Sequence, residues 1–250
     1  MISAETILKP NMEYYIDNGI QQFEPQFAKK YKLIKCKNPN TCTNLIIFGC
    51  YTKKIYTLLK DRVNSKIPLI TYLIWGGSDF NHKKKVTSYL TLLKNNKIHH
   101  LAISNCLYKR ITNTTISATL INFNLVDTSL FKPVTTNTQS NTIYIYSGHP
   151  KNQGANSKNY SNTIYESVMN KLPQFNYILS HNLNVSYSEM PQTYAKCFIV
   201  LRLTTLDGNA NTVQECQVMN IPIVHNQSDY GLKWVTKDDV IKHILNHSSS

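Results

Sequence analysis

Residues 197 to 225, CFIVLRLTTLDGNANTVQECQVMNIPIVH, carry the pattern of a strand, a turn, a helix and a second strand. The apolar run Cys197 to Thr204 is short and bounded by polar residues, which indicates a buried strand. After a polar turn, Asn211 stands at the predicted N-cap of a helix, with Gln214 three residues later as in a capping box. A second apolar strand follows at once, so the segment predicts a βαβ unit with parallel strands.

The turn of such a unit lies at the carboxyl end of the first strand and opens onto the helix N-terminus, where ligands bind. Its unpaired N–H groups and the positive end of the helix predict a diphosphate site. Gly208 lets a ligand approach the backbone closely. The predicted cradle consists of Gly208, Asn209, Ala210, Asn211 and Thr212.

Two carboxylates bracket this turn, Asp207 before it and Glu215 on the helix, with seven residues between them. A bound anion would repel both carboxylates unless each binds hydroxyl groups of the same ligand. A sugar nucleotide has that chemistry, because its phosphates lie between a ribose and a hexose. An ordinary βαβ turn with a capped helix is the alternative, and the spacing of the two acids alone leaves it open.

The stretch resembles the donor-binding loop of retaining GT-B glycosyltransferases of the family 4-like type. That loop has an acidic residue, seven residues, a glutamate and then an apolar G-x-P-V-V-like strand, which stand here as Asp207-GNANTVQ-Glu215 and NIPIVHN. The family usually has glutamate at the first position, so Asp207 is one methylene shorter.

A second segment, residues 98 to 133, resembles the end of the N-terminal domain of the same family. It reads as a strand ending in serine, a helix, and a strand leading into a V-D-x-x-x-F-x-P linker. The linker residues here are Val126, Asp127, Phe131 and Pro133.

The resemblance implies an α/β, GT-B-like fold with two Rossmann-like parallel-sheet domains, a cleft between them and an abbreviated N-terminal domain. Alternating strand and helix patterns along the chain also favour parallel sheets. The polar segment TTNTQSN marks the expected boundary. Residues 1–135 would form the acceptor-side domain and residues 136–250 the nucleotide-sugar donor domain.

The resemblance also implies roles for single residues. Glu215 would hold the ribose hydroxyls and Asp207 the donor sugar, as the catalytic pair. Lys151 and Lys158 are candidates for the basic pair that neutralises the diphosphate, and two lysines in a flexible loop are the alternative. Arg202 is a third candidate, although strand alternation leaves open which face of the sheet it occupies.

The turn Gly76-Gly77-Ser78-Asp79 resembles an H-G-S-D segment that faces the transferred sugar in the cleft. The histidine of that segment is replaced by Gly76, or by Trp75 in a shifted register. The alternative interpretation is a tight connection between two elements.

These assignments predict a metal-independent retaining glycosyltransferase that moves a sugar from a UDP- or GDP-linked donor to a glycan, lipid or protein acceptor, without a cofactor. One alternative is a catalytically degenerate GT-B-like protein that binds a nucleotide sugar or glycan. The other alternative is a basic nucleic-acid-binding module. Without a G-x-G-x-x-G or Walker sequence, dinucleotide dehydrogenases and P-loop phosphotransferases are disfavoured.

The chain has 250 residues and a net charge of +13, of which +12 falls in residues 1 to 140. Such a basic half can contact an anionic membrane surface, an acidic acceptor or nucleic acid. The alternative is a set of solvated lysine-rich loops, and nucleic acid is not the expected partner. With no signal-like h-region and no membrane-span pattern, a cytoplasmic, soluble or peripherally membrane-associated protein is expected.

The six cysteines contain no C-x-x-C pair, so buried free thiols and no metal site are expected. The adjacent His99 and His100 lie in a strand-like run and are predicted to point to opposite faces. They are therefore not expected to bind one ion together.

Overall fold

The computed structural model describes residues 1–76, 78–81, 83–134, 140–147, 161–204, 210–226 and 230–248. Within these ranges, the side chains of residues 19, 22, 78, 81 and 83–85 are left out of the description. The chain divides into two compact units, Met1–Leu125 and Val126–Ser250.

The first unit contains a sheet in which every neighbouring pair of strands is parallel. In the described part of the chain it has seven strands, in the order β1-β7-β6-β5-β4-β2-β3. The strands are β1 (Ile2–Ser3), β2 (Glu13–Ile16), β3 (Ile34–Lys35), β4 (Asn44–Phe48), β5 (Ile70–Trp75), β6 (Ile98–Ala102) and β7 (Ala118–Asn122). The helices are α1 (Ala4–Ile7), α2 (Glu24–Tyr31), α3 (Lys53–Asn64), α4 (Lys83–Ser88), α5 (Leu90–Leu93) and α6 (Asn105–Thr112). Short 3-10 segments cover Asn18–Phe23 and Ser78–Asn81.

The strand β4 is apolar after its first residue because both of its faces are covered. Leu45, Ile46 and Ile47 of β4 are fully buried. The helix α6 begins after Ser104, whose hydroxyl caps it by accepting a hydrogen bond from the Leu107 amide at 3.3 Å. On β6, His99 is exposed and His100 is buried, which confirms that the two imidazoles point to opposite faces.

The second unit contains a second parallel sheet, with four strands in the described residues and the order β11-β10-β8-β9. The strands are β8 (Thr142–Ile145), β9 (Asn176–Leu179), β10 (Ile199–Leu201) and β11 (Ile223–Val224). The helices are α7 (Asn162–Lys171), α8 (Met190–Ala195), α9 (Asn211–Met219) and α10 (Lys237–Ser248). Short 3-10 segments cover Ser180–Asn182 and Tyr187–Glu189.

The predicted α/β class, with two parallel-sheet units, is confirmed. The structure divides the chain at Leu125, whereas the sequence analysis placed the boundary at residue 135. The intervening segment belongs to the second unit because Val126 and Phe131 are buried in its core and the Val134 amide donates to the Met219 carbonyl at 3.1 Å.

The N-terminal domain that the resemblance describes as abbreviated relative to the family has a seven-stranded sheet in the described residues, and three of its strands come from the first forty residues. Its abbreviation relative to the family stays a prediction.

The predicted Asn211 cap is wrong. Ala210 is the N-cap residue of α9 and Asn211 is its first helical residue, without a side-chain capping bond.

Across the described ranges, no helix combines the length and the apolar character needed to span a lipid bilayer.

Candidate functional site

The strand order of the second sheet reverses between β8 and β10. From β8 the chain continues to β9 on one side, and from β10 it continues to β11 on the other. Ligands of open parallel α/β sheets bind in the crevice at the carboxyl ends of the strands at such a switch point. The register pairs Ile145 with Leu201, and the Tyr146 amide donates to the Leu201 carbonyl at 2.9 Å. Tyr146 and Arg202 therefore lie side by side just beyond this edge.

Contacts with Tyr146 and Thr212 hold the Arg202 side chain in place. Its guanidinium carbon lies 3.7 Å from the centroid of the Tyr146 ring, and its Nη1 donates to the Thr212 hydroxyl at 3.2 Å. The side chain is on the same face as Val200, which packs into the core layer that contains α9. Strand alternation left open which face of the sheet Arg202 occupies. In the structure, Arg202 lies on the α9 side of the sheet.

The N-terminus of α9 completes the cationic side of the site. The first amides of a helix have no partner within the helix. Among the described residues, none accepts a hydrogen bond from the amides of Asn211 or Thr212. Together with the positive end of the helix dipole, these amides favour an anion. Thr212 joins the two features, because its hydroxyl accepts from Arg202.

Glu215 lies one turn further along α9 and is 4% exposed. Its Oε2 accepts a hydrogen bond from the Tyr194 hydroxyl of α8 at 2.8 Å. Burial raises the pKa of the Glu215 carboxyl to about 7, although the Tyr194 hydrogen bond and the Arg202 charge act in the opposite direction. Burial and the Glu215 charge also raise the pKa of Tyr194 well above its ordinary value, so its hydroxyl remains a donor.

The second unit therefore has an anion-binding side and a carboxyl side at one sheet edge. Arg202 and the first amides of α9 form the anion-binding side, and Glu215 with Tyr194 forms the carboxyl side. A fixed guanidinium and helix amides bind phosphate oxygens. A carboxylate accepts hydrogen bonds from sugar hydroxyls.

The structure brings five of the predicted site residues together at this edge: Arg202, Ala210, Asn211, Thr212 and Glu215. Six predicted residues lie outside the described part of the chain: Gly77, Lys151, Lys158, Asp207, Gly208 and Asn209. The assignments of these eleven residues to donor binding, catalysis or sugar contact remain predictions.

The predicted sugar-facing turn lies in the first unit, and its Asp79 is fully buried. Asp79 Oδ2 accepts hydrogen bonds from the amides of Cys50 and Gly76, each at 2.9 Å. Its Oδ1 accepts from the Phe80 amide at 3.0 Å. This carboxylate therefore joins the loops that follow β4 and β5, and a contact with a sugar stays a prediction.

Gly76, another predicted residue of that turn, has little free space beside it. A Cβ atom added at Gly76 would lie 2.6 Å from the Tyr51 hydroxyl. Ser78 lies in the 3-10 segment after β5. Glycine at position 76 thus allows the Tyr51 ring to approach the backbone.

Sequence reasoning missed four side chains near the same edge of the second sheet. Tyr146 and Ser147 follow β8, and His181 follows β9, so their positions after strands were the available signal. The Ser147 hydroxyl lies 2.7 Å from His181 Nδ1. Tyr194 had no such signal, because its contact with Glu215 depends on how α8 packs against α9.

Comparison with solved structures finds the crystal structure of TarM, a glycosyltransferase, with a TM-score of 0.54 and 14% sequence identity. The match covers 82% of this chain and 48% of that chain, so the present chain spans about half the length of TarM. No protein-family model and no curated protein matches the sequence. At this identity the likeness concerns the fold alone, a GT-B-like fold with two Rossmann-type α/β units.

Proposed function

We propose that the chain is a retaining, metal-independent glycosyltransferase that moves a sugar from a nucleotide-diphosphate donor, UDP- or GDP-linked, to a glycan, lipid or protein acceptor. The second unit binds the donor. The observation that carries the proposal is the placement of Arg202, the α9 N-terminus and Glu215 at one switch point.

The anion-binding side is assigned to the donor diphosphate. Departure of the nucleotide diphosphate builds negative charge on its outer phosphate. Arg202 and the α9 amides are preorganised to stabilise that charge, because the stacking on Tyr146 and the bond to Thr212 fix the guanidinium before the donor arrives. In this proposal the guanidinium and the backbone dipoles perform the task that a bound cation performs in other transferases.

The carboxyl side is assigned to the ribose. In its ionised form, Glu215 accepts hydrogen bonds from two neighbouring hydroxyls, while Tyr194 holds the carboxylate in position. Its raised pKa favours the protonated form in the free protein. Hydrogen bonds from the ribose hydroxyls shift the carboxyl group to the ionised form, because they replace the solvation that burial removes. Asp207 is proposed to contact the transferred sugar, and Lys151 and Lys158 to add positive charge near the diphosphate.

Isothermal titration calorimetry on the full chain, with UDP, GDP and a panel of their sugar conjugates, tests the donor assignment. We expect one donor to bind, and Glu215→Ala and Arg202→Met each to reduce its affinity at least tenfold, since charge-assisted hydrogen bonds contribute about 1.5 to 3 kcal/mol. Lys171→Met is the matched control, because Lys171 pairs with Asp238 at the exposed surface. Equal affinity in all four proteins would refute the donor site.

Turnover separates the enzyme from a catalytically degenerate binding protein. Incubation of the full chain with the bound donor is expected to release free nucleotide diphosphate, slowly by hydrolysis and faster with an acceptor. NMR of the product anomer tests retention. Donor binding without any release of nucleotide diphosphate across the acceptor panel would favour the binding protein.

The basic first 140 residues are proposed to contact an anionic acceptor or membrane surface, because they carry a net charge of +12. Flotation with vesicles of phosphatidylcholine alone and with added phosphatidylserine tests this contact. We expect binding only to the anionic vesicles and its loss at high salt.

A further inference from the structure

Two cysteines and a glutamate converge in the first unit, far in sequence from the donor site. Glu13 is on β2, and Cys36 and Cys42 flank the loop between β3 and β4. The two Sγ atoms and a carboxylate oxygen all lie within 4.8 Å of one another. Both thiols are free, and both are buried.

The sheet order explains why these residues meet. The strand β2 lies between β3 and β4, so the loop from β3 to β4 must cross β2. Glu13 pairs with Ile34 of β3 on one side and with Leu45 of β4 on the other. The loop is closed by local hydrogen bonds, from the Thr41 amide to the Asn38 carbonyl at 3.2 Å and from the Asn40 amide to Asn38 Oδ1 at 3.2 Å.

We propose that Cys36, Cys42 and Glu13 form a structural site for a divalent zinc ion. Two thiolates and one carboxylate are ligands that zinc accepts in tetrahedral sites. Zinc–sulfur bonds of about 2.3 Å place two ligand sulfurs about 3.8 Å apart, so small side-chain rotations bring the observed atoms to that separation. Water supplies the fourth ligand.

Arg62 supplies the charge balance that such a site needs. Two thiolates, a carboxylate and Zn²⁺ carry a net charge of −1, and Arg62 is a buried cation beside them. Its Nη1 donates to the Cys42 carbonyl at 2.9 Å, and its Nε donates to the Thr71 hydroxyl at 2.8 Å.

Zinc is bound by thiolates, so binding to Cys36 and Cys42 releases the two thiol protons to solvent. The ion would tie the edge strand β3 to β2 and β4, and it is separate from the proposed transfer chemistry of the second unit.

The test is zinc titration of the reduced, chelator-treated full chain with a competing chromophoric chelator. We expect one equivalent of Zn²⁺ to bind with release of two protons, and Co²⁺ in its place to give thiolate-to-cobalt charge-transfer absorption. Cys36→Ser, Cys42→Ser and Glu13→Gln should each weaken binding at least tenfold. Cys106→Ser is the matched control, since Cys106 lies on α6 outside the cluster.

Two results would overturn the proposal. One is the absence of stoichiometric Zn²⁺ binding to the reduced protein, including the case in which peptide mass analysis finds a Cys36–Cys42 disulfide instead. The other is equal binding by wild type and the Glu13→Gln variant together with a cobalt spectrum that lacks thiolate bands. The spectrum is read on the wild type, so it remains informative even if a cysteine variant fails to fold.

Discussion

The Tyr194 hydroxyl donates to Glu215 Oε2 at 2.8 Å, within a region where both side chains are almost fully buried. This bond positions the carboxyl group but does not compensate for its burial, because the pKa of Glu215 still rises to about 7. The folded protein therefore holds this carboxyl group at the cost of part of its stability. Residues at binding sites commonly show this compromise.

The first prediction concerns the pH dependence of stability. Since the pKa of Glu215 is about 7 in the folded state, against 4.5 for an ordinary glutamate side chain, the folded state binds the extra proton between these pH values. The stability contribution of Glu215 is therefore lost as pH rises through this window, by on the order of 3 kcal/mol. Glutamine does not ionise, so Glu215→Gln removes this pH-dependent loss of unfolding free energy. The variant should be more stable than wild type at pH 8 and equally stable at pH 4.5.

Urea unfolding of both proteins between pH 4.5 and pH 8 measures this difference. Tyr194→Phe provides the complementary control, because loss of the hydroxyl donor should raise the pKa of Glu215 further and shift the window upward. Parallel stability curves for wild type and Glu215→Gln would contradict the assignment.

The second prediction separates charge from geometry at Arg202. Arg202→Lys keeps the positive charge but loses the planar stacking on Tyr146 and the fixed bond to Thr212. We expect donor affinity in calorimetry to fall about 10- to 100-fold, corresponding to about 1.4 to 2.8 kcal/mol. The Lys171→Arg variant, made at an exposed ion pair, should bind the donor like wild type.

If Arg202→Lys binds the donor as tightly as wild type, positive charge alone is sufficient and the preorganised geometry has no role. If the variant unfolds, circular dichroism shows it, and Tyr146→Leu then tests the stacking contact separately.

The third prediction tests the role of Asp79. Its carboxylate accepts three backbone hydrogen bonds in a fully buried position. Asp79→Ala leaves those amides without an acceptor and should cost about 3 to 5 kcal/mol of unfolding free energy. Asp79→Asn keeps one acceptor oxygen and should cost less. Chemical denaturation measures both.

A stable Asp79→Ala protein that has lost transferase activity would contradict the structural role and favour the sugar-facing one. Asp61→Ala on α3 is the matched control for removal of a carboxylate in the same unit, because Asp61 is exposed.

The fourth prediction concerns His100. Trp75 Nε1 donates to its Nδ1 at 3.0 Å, and its Nε2 lies 2.6 Å from the Leu93 carbonyl, which fixes the Nε2–H tautomer. Burial lowers the pKa of His100 to about 4. The unfolded chain binds this proton at higher pH, so stability falls as pH decreases from 6.5 to about 4.

Nitrogen-15 NMR of histidine-labelled protein should show His100 as the neutral Nε2–H tautomer at pH 6. A protonated His100 at that pH would contradict the prediction. The stability of the first unit should fall as pH decreases because of His100, whereas that of the second unit should fall as pH increases because of Glu215. Hydrogen exchange measured separately for amides of each unit distinguishes the two effects.

Sequence patterns predict a strand most readily when both of its faces are buried. The apolar run of β10 is visible without any knowledge of its partners, because a strand covered on two sides is apolar throughout. The two-residue strands β1 and β3 have no such pattern, since Ile2 and Ile34 are exposed at the ends of the sheet order. Their pairing becomes apparent only in the complete sheet.

The helix α10 has no counterpart among the predicted elements, although its start can be recognised in the sequence. Its sequence contains a start signal, because Thr236 and Asp239 are three residues apart. In the structure, Asp239 Oδ2 accepts from the Thr236 amide at 2.7 Å, and the Thr236 hydroxyl accepts from the Asp239 amide at 3.3 Å. The sequence therefore carries a local signal for the start of α10.

The sequence indicated which loop contains the candidate site, but not the side-chain contacts within it. The spacing of Asp207 and Glu215 indicated the turn, and the rule that ligands bind at carboxyl ends of strands indicated the edge. The Glu215–Tyr194 bond joins residues 21 positions apart on two helices, and the face occupied by Arg202 depends on the register of β10. Neither the Glu215–Tyr194 contact nor the face occupied by Arg202 produces a periodic pattern in the sequence.

The pairing of β1 with β7 has a consequence for synthesis. Ile2 and Ser3 pair in parallel register with Ile121 and Asn122, so β1 is synthesised more than a hundred residues before its partner strand. Closing that long interval carries an entropic penalty and slows folding. Until β7 has been translated, β1 therefore has no partner strand and is available to chaperones and proteases.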